Sequence, residues 1–121
     1  MITVELPWPP KELSPNHRGH WAPVSKAKSR YRTTARLLAR SALSKADCFS
    51  QFKAVRLAYE FFPPQARAYD RDNLAARMKA ATDGIADAIG MNDRGFHFAP
   101  AEIREKVKGG MVRVSIEQVE L

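Results

Sequence analysis

The chain has 121 residues, 45% of them hydrophobic, and a formal net charge of +7, enough for one domain over 1–121 that buries roughly 65% of its unfolded surface. That composition excludes a disordered chain, and a single cysteine, Cys48, excludes an internal disulfide and suits a reducing compartment. Neither a basic leader followed by an apolar stretch nor a run of membrane-spanning length occurs, so a soluble, cytoplasmic protein with no membrane partner is expected.

The first predicted element is a strand. In "ITVELPW", Ile2, Val4 and Leu6 alternate with Thr3 and Glu5, the two-residue period of a half-buried strand. Pro7, Pro9 and Pro10 end it, because proline cannot donate to a sheet ladder. Residues 11–24 carry turn formers, His17, His20 and Trp21, and read as an irregular loop.

A helix is predicted from Lys26 to about Leu43, with Pro23 at its boundary and Ser25 as its cap. Tyr31, Ala35, Leu38 and Ala42 form its apolar face, beside a cationic stripe of Lys28, Arg32, Arg36 and Arg40. A second strand follows in "FKAVRLAYEFF", where Val55, Leu57, Tyr59 and Phe61 alternate with smaller or charged residues until Pro63 and Pro64.

The next helix is predicted from about Asp72 to Ile89, closed by Gly90 in a left-handed position. The last segment, "AEIREKVKGGMVRVSIEQVEL", reads as a hairpin turning at Gly109-Gly110. The order β-α-β-α-β-β implies an α+β fold, a mixed sheet packed against two main helices.

Charge is unevenly distributed. Residues 1–68 hold 12 Lys/Arg against 4 Asp/Glu, while residues 69–98 hold 4 against 5. A basic body around a local acidic cluster suits a polyanionic partner, since phosphates gain from counterion release. Solubility alone accounts for a basic surface equally well.

The acidic cluster centres on "YDRDN" at 69–73. At about 100° per residue, Leu74, Met78, Ala81, Ile85 and Ile89 share the side toward the sheet. Asp72, Lys79, Asp83 and Asp87 fall within about 80° on the opposite side. Asp70 precedes the helix and Asp93 follows it, so Asp93 joins the pair only if its loop folds back. Such a cluster suits Mg²⁺-dependent phosphodiester hydrolysis. Mg²⁺ needs only a few carboxylates besides substrate phosphate, and a nearby lysine offsets charge that develops on the phosphate. Aspartate is also a favoured helix cap, so D-x-D alone leaves capping and metal binding both open.

Three features resemble the RusA-type Holliday-junction resolvases, endonucleases of bacteria and their phages. "LPWPP" at 6–10 follows the first strand with Asn16 beyond it, "DRDNL" at 70–74 matches the family's D-x-D-N-L segment, and "MNDRGF" follows the second helix. The K-G-G turn also fits, so the resemblance spans nearly the whole chain. It implies a homodimer that uses Mg²⁺, with Mn²⁺ as a substitute, to cut four-way DNA junctions by paired symmetric nicks. It also implies Asp70, Asp72 and Asp93 as metal-binding aspartates and Lys79 as the catalytic lysine. The family lysine can lie closer to the second aspartate, where this chain has Ala76, and an acidic pair is often found where it has Asn92-Asp93. DNA contacts are expected from Asn16, Arg18, Lys28, Arg32, Arg36, Arg40 and Arg71. The alternatives are a noncatalytic branched-DNA-binding protein and a less selective flap or fork nuclease.

Other candidates carry weaker signals. His17 and His20 lack further zinc ligands nearby and fit loop or phosphate contacts, and His97 is a candidate neighbour of Asp93. Arg94 flanks the proposed acids, and Trp8 and Trp21 fit either core packing or stacking on exposed bases.

Overall fold

Strand β1, Ile2–Pro7, buries every second residue, as its apolar alternation predicts. The computed structural model describes residues 1–43 and 54–119. After β1 come a short 3-10 turn at Lys11–Leu13, α1 at Trp21–Leu43, β2 at Val55–Phe62, α2 at Arg71–Ala76 and α3 at Lys79–Ile89. A second 3-10 turn at Asp93–Gly95, β3 at Phe96–Phe98, β4 at Glu102–Ile103 and β5 at Met111–Gln118 complete it. Cys48, and Phe52 and Lys53 at the start of the predicted second strand, lie outside the described residues.

The sheet is mixed and the fold is α+β. Its order is β1-β5-β2-β3, with β4 also pairing with β2. β5 runs antiparallel to both β1 and β2, while β3 and β4 pair with β2 in parallel. Val112, Val114 and Ile116 of β5 are fully buried between partly exposed neighbours, the pattern of a sheet covered on one face. Helix α1 is tied to β1 by the Tyr31 hydroxyl, which donates to the Pro7 carbonyl at 2.7 Å.

The first helix starts five residues earlier than expected. Pro23 is tolerated inside it because the first amides of a helix have no intrahelical acceptor, so Ser25 lies within the helix and does not cap it. His20 serves at the start instead: its Nδ1 accepts from the Ala22 amide at 3.3 Å, and its ring stacks on Trp21. The core face also turns, burying Tyr31, Ala35 and Ala39, whereas Leu38 is 38% exposed and Ala42 half-buried. Small residues occupy that line because α1 crosses α3 closely at Gly84.

The predicted second helix is two helices, α2 and α3, separated at Arg77 and Met78. The Met78 carbonyl accepts both the Thr82 amide and the Thr82 hydroxyl, each at 2.8 Å. The break itself is a tightened turn, in which the Arg77 and Met78 amides donate to carbonyls three residues back, Leu74 at 3.2 Å and Ala75 at 3.1 Å. With its proton given to Met78, Thr82 Oγ1 accepts from the buried Tyr59 hydroxyl. Gly90 takes the left-handed conformation expected of it, with φ 78°.

The predicted C-terminal hairpin is not formed. Gly109 and Gly110 do turn the chain, both with positive φ, and Gly110 passes so close to Trp8 that a Cβ would lie 2.8 Å from the Trp8 Cβ. The preceding segment nonetheless runs along the edge of β2, through Ala99, Arg104 and Val107 amides bonded to the Leu57, Phe61 and Pro63 carbonyls. Pro100, which lacks an amide hydrogen, falls between β3 and β4 in this edge. Both sides of β5 are already taken by β1 and β2, so no hairpin partner can bind there.

Candidate active site

Asp70 ends the connection from β2 and caps α2, so the cap lies two residues before the expected start at Asp72. Its Oδ1 accepts from the Asn73 amide at 3.0 Å, and Asn73 Nδ2 donates to Ser14 Oγ at 2.9 Å, anchoring α2 to the loop after β1. A carboxylate has two oxygens, so capping through Oδ1 leaves Oδ2 available to a cation. Asparagine caps as well as aspartate does, so Asp70→Asn should leave urea-unfolding stability nearly unchanged, whereas Asp70→Ala should cost about 1 kcal/mol.

Arg71 and Asp72 are exposed in the first turn of α2. Asp72 lies one turn before Ala75 and Ala76 on the same helical stripe. Those two alanines line a cavity of about 380 Å³ together with Tyr59, Lys79, Asp93 and Phe98. Burial pushes the Tyr59 phenol up to about 12, so this wall of the cavity is neutral. Phe98 is 57% exposed and its ring centroid lies 6.1 Å from that of Tyr59.

Lys79 opens α3 and stands 70% exposed between two acids. Its ammonium donates to Asp83 Oδ1 at 3.0 Å and to Asp93 Oδ2 at 3.3 Å. Asp83 first, and then Asp93, hold the Lys79 pKa above the ordinary lysine value. The loop after α3 therefore does fold back. Asn92 shapes that return by accepting from the Arg94 amide at 2.9 Å, which commits its side-chain oxygen to a cap and leaves Asp93 facing Lys79.

The other expected residues are divided. Asp87 leaves the acidic face to bind Arg32 of α1, whose Nε and Nη2 donate to its two oxygens at 2.8 and 3.0 Å. Arg32, with Arg36 adding, holds Asp87 below the usual carboxylate range. The cationic stripe is thus partly neutralised, leaving Lys28 and Arg40 exposed. Asn16 and Arg18 are exposed in the loop before α1, where the Asn16 amide donates to Ser14 Oγ at 3.3 Å. His97 pairs opposite Arg56 on the edge strand. Trp8 packs edge-on against Phe61 and Tyr69, whereas Trp21 is 74% exposed.

Among the described residues, no three His, Cys, Asp or Glu side chains stand together as a metal-holding group. The donor chemistry still fits Mg²⁺, which takes hard oxygen ligands and needs only one or two carboxylates besides phosphate and water. Asp93, paired with Lys79, and the exposed Asp72 carry such oxygens. Phe98 and Arg77 were not legible as site residues: the three-residue strand β3 is too short for periodicity, and one arginine within a helix is unmarked.

Among the described residues, no helix is long and apolar enough to cross a membrane. No protein-family model matches the chain. It is 40% identical over 116 residues to a protein of Xylella fastidiosa (strain Temecula1 / ATCC 700964) described as uncharacterized, a match that covers 96% of this chain and 76% of that protein. At that identity across nearly its whole length, the chain belongs to the same family as the Xylella protein.

Proposed function

We propose that this protein is a Mg²⁺-dependent, structure-selective DNA endonuclease of the cytoplasm that resolves four-way junctions by paired nicks. The observation that carries this reading is Lys79, an exposed ammonium held by Asp83 and Asp93 at the wall of a cavity that Asp93 also lines. The chain's net charge of +7 supports a polyanionic substrate. Its resemblance to RusA-type resolvases in "DRDNL" supports DNA junctions in particular.

In this reading Asp93 and Asp72 would hold the ion beside phosphate and water, and the expected triad with Asp70 is not assembled among the described residues. Bound Mg²⁺ supplies Lewis-acid polarisation of the phosphoryl oxygen and an acidified water. Lys79 presents a fixed positive charge toward the phosphate, where it offsets the negative charge that grows in the transition state. Asp83 keeps the Lys79 ammonium charged and oriented while Asp93 serves the cation. Two coordinated nicks require two such sites, so the active form is a homodimer.

The test is a panel of junction, fork, flap and linear duplex, with and without Mg²⁺ or Mn²⁺. The expected result is metal-dependent, paired symmetric nicking of the junction, lost in Asp72→Asn. Comparable cutting of forks and flaps would make it a less selective nuclease. A second reading, a noncatalytic branched-DNA-binding protein, is favoured by the Lys79–Asp93 ion pair and by the lack of a three-carboxylate group among the described residues. Tight, salt-sensitive junction binding without cleavage in either metal would establish it and sink the first.

A further inference from the structure

A second cavity, about 500 Å³, lies on the other side of Lys79, between α1 and the α2–α3 pair. Its charged lining is Lys28 and Arg32 from α1, Arg77 at the end of α2, and Lys79 and Asp83 from α3. Four cations thus share the groove with one carboxylate. Asp83 is engaged by Lys79 at 3.0 Å, and Arg32 by Asp87 at 2.8 Å. Among the described residues no ion pair engages Lys28 or Arg77.

Arg77 is the informative member. Its Nε is enclosed by the protein without a hydrogen-bond partner, so contact with a ligand falls to the terminal guanidinium nitrogens, which make no hydrogen bond within the described residues. Burial foremost, and the charge of Arg67 next, lower its pKa; Tyr69 and Glu12 oppose this electrostatically. Arg67 itself stacks over the Tyr69 ring at 4.9 Å. The groove therefore carries uncompensated positive potential. Helix α3 adds to it, since Met78 offers no side-chain cap and the positive end of an eleven-residue helix opens at Lys79 and Ala80, both in the lining.

We infer that this groove is a phosphate-binding site in which Arg77 and Lys28 hold a backbone phosphate of the bound nucleic acid strand. A guanidinium and an ammonium from two different helices line one groove with the start of α3, a donor set suited to an anion with several acceptor oxygens. Lys79 lines both cavities, so a strand placed across it presents one phosphate to the acidic side and another to the groove. The phosphate chemistry stands on the groove alone; DNA as its source rests on the proposed function.

The experiment uses the intact chain in EDTA, so neither metal nor cleavage enters the readout. Junction and duplex affinities are measured against salt for wild type, Arg77→Met, Arg77→Lys and Lys28→Met, and thermal unfolding is followed with and without inorganic phosphate. Arg77→Met should weaken junction binding about tenfold and reduce the salt slope by about one. Arg77→Lys should keep the slope but bind more weakly, having lost the fork geometry. Phosphate should raise the wild-type unfolding temperature and leave that of Arg77→Met unmoved. Lys28→Met, at an exposed position, carries the same slope prediction should Arg77→Met fail to fold. Unchanged slopes in both methionine variants overturn the inference. A phosphate response that needs Arg77 while the DNA slope does not overturns the DNA assignment and leaves a site for free phosphate. A preserved, Arg77-dependent slope in a protein that cuts nothing upholds the groove while the nuclease reading fails.

Discussion

Gly84→Ala should destabilise the protein by about 3 kcal/mol, the upper part of the usual overpacking range. A Cβ at Gly84 would lie 2.2 Å from the Arg32 carbonyl oxygen and 3.1 Å from the Ala35 Cβ. The first contact is with backbone, which cannot rotate away, so α1 and α3 must separate. Alanine's better helix propensity favours the variant by only about 1 kcal/mol, and packing wins. Separation also disturbs the Arg32–Asp87 pair that bridges the same two helices. At this chain length the unfolding temperature should fall by about 10 °C. Gly90→Ala is the control: its Cβ would meet nothing, so only left-handed strain of about 1 kcal/mol is added. A Gly84→Ala protein as stable as wild type would show that the helices do not cross there.

The second large effect is the one expected if the proposed nuclease reading holds. Lys79→Met should lower single-turnover junction cleavage about 100-fold, the cost of losing one preorganised positive group at a developing charge. Asp93→Asn should lower it by at least as much, roughly 100-fold or more, because it removes one of the two acids that seat Lys79 and, on the proposed reading, a cation ligand. Asp83→Asn leaves Asp93 holding the lysine, so a loss of only about tenfold is expected. Junction binding measured without metal should change by a few-fold at most in all three, on the order of one charge contact. Loss of binding in parallel with cleavage would make these residues anchors for DNA and not catalytic groups.

The acidic stretch shows how far local sequence reaches. Asp70 proved to be a cap, and capping is local: it depends on an amide three residues away. The availability of its second oxygen follows from the same geometry. The neutralisation of Asp87 by Arg32, 55 residues earlier, depends instead on how α1 and α3 cross. No periodicity in either helix encodes that crossing, although alternating small residues on α1 permit it. The reading of a four-charge face on one helix holds only within α3, for Lys79, Asp83 and Asp87; Asp72 lies on α2, beyond the break at Arg77 and Met78. Once tertiary contacts form, Asp83 belongs to Lys79, Asp87 belongs to another helix, and of the four only Asp72 has no ion pair among the described residues.

Sequence alone determined the strands Ile2–Pro7 and Val55–Phe62, the left-handed end at Gly90 and the turn at Gly109-Gly110. Each follows from side-chain alternation or backbone sterics within a few residues. Tertiary structure alone decided that β5 enters between β1 and β2, which denies it a hairpin partner. It alone returned Asp93 to Lys79 and left Arg77 enclosed without a partner. Those outcomes depend on which distant group reaches a shared hydrogen bond or charge first, and that competition is settled only when the elements pack.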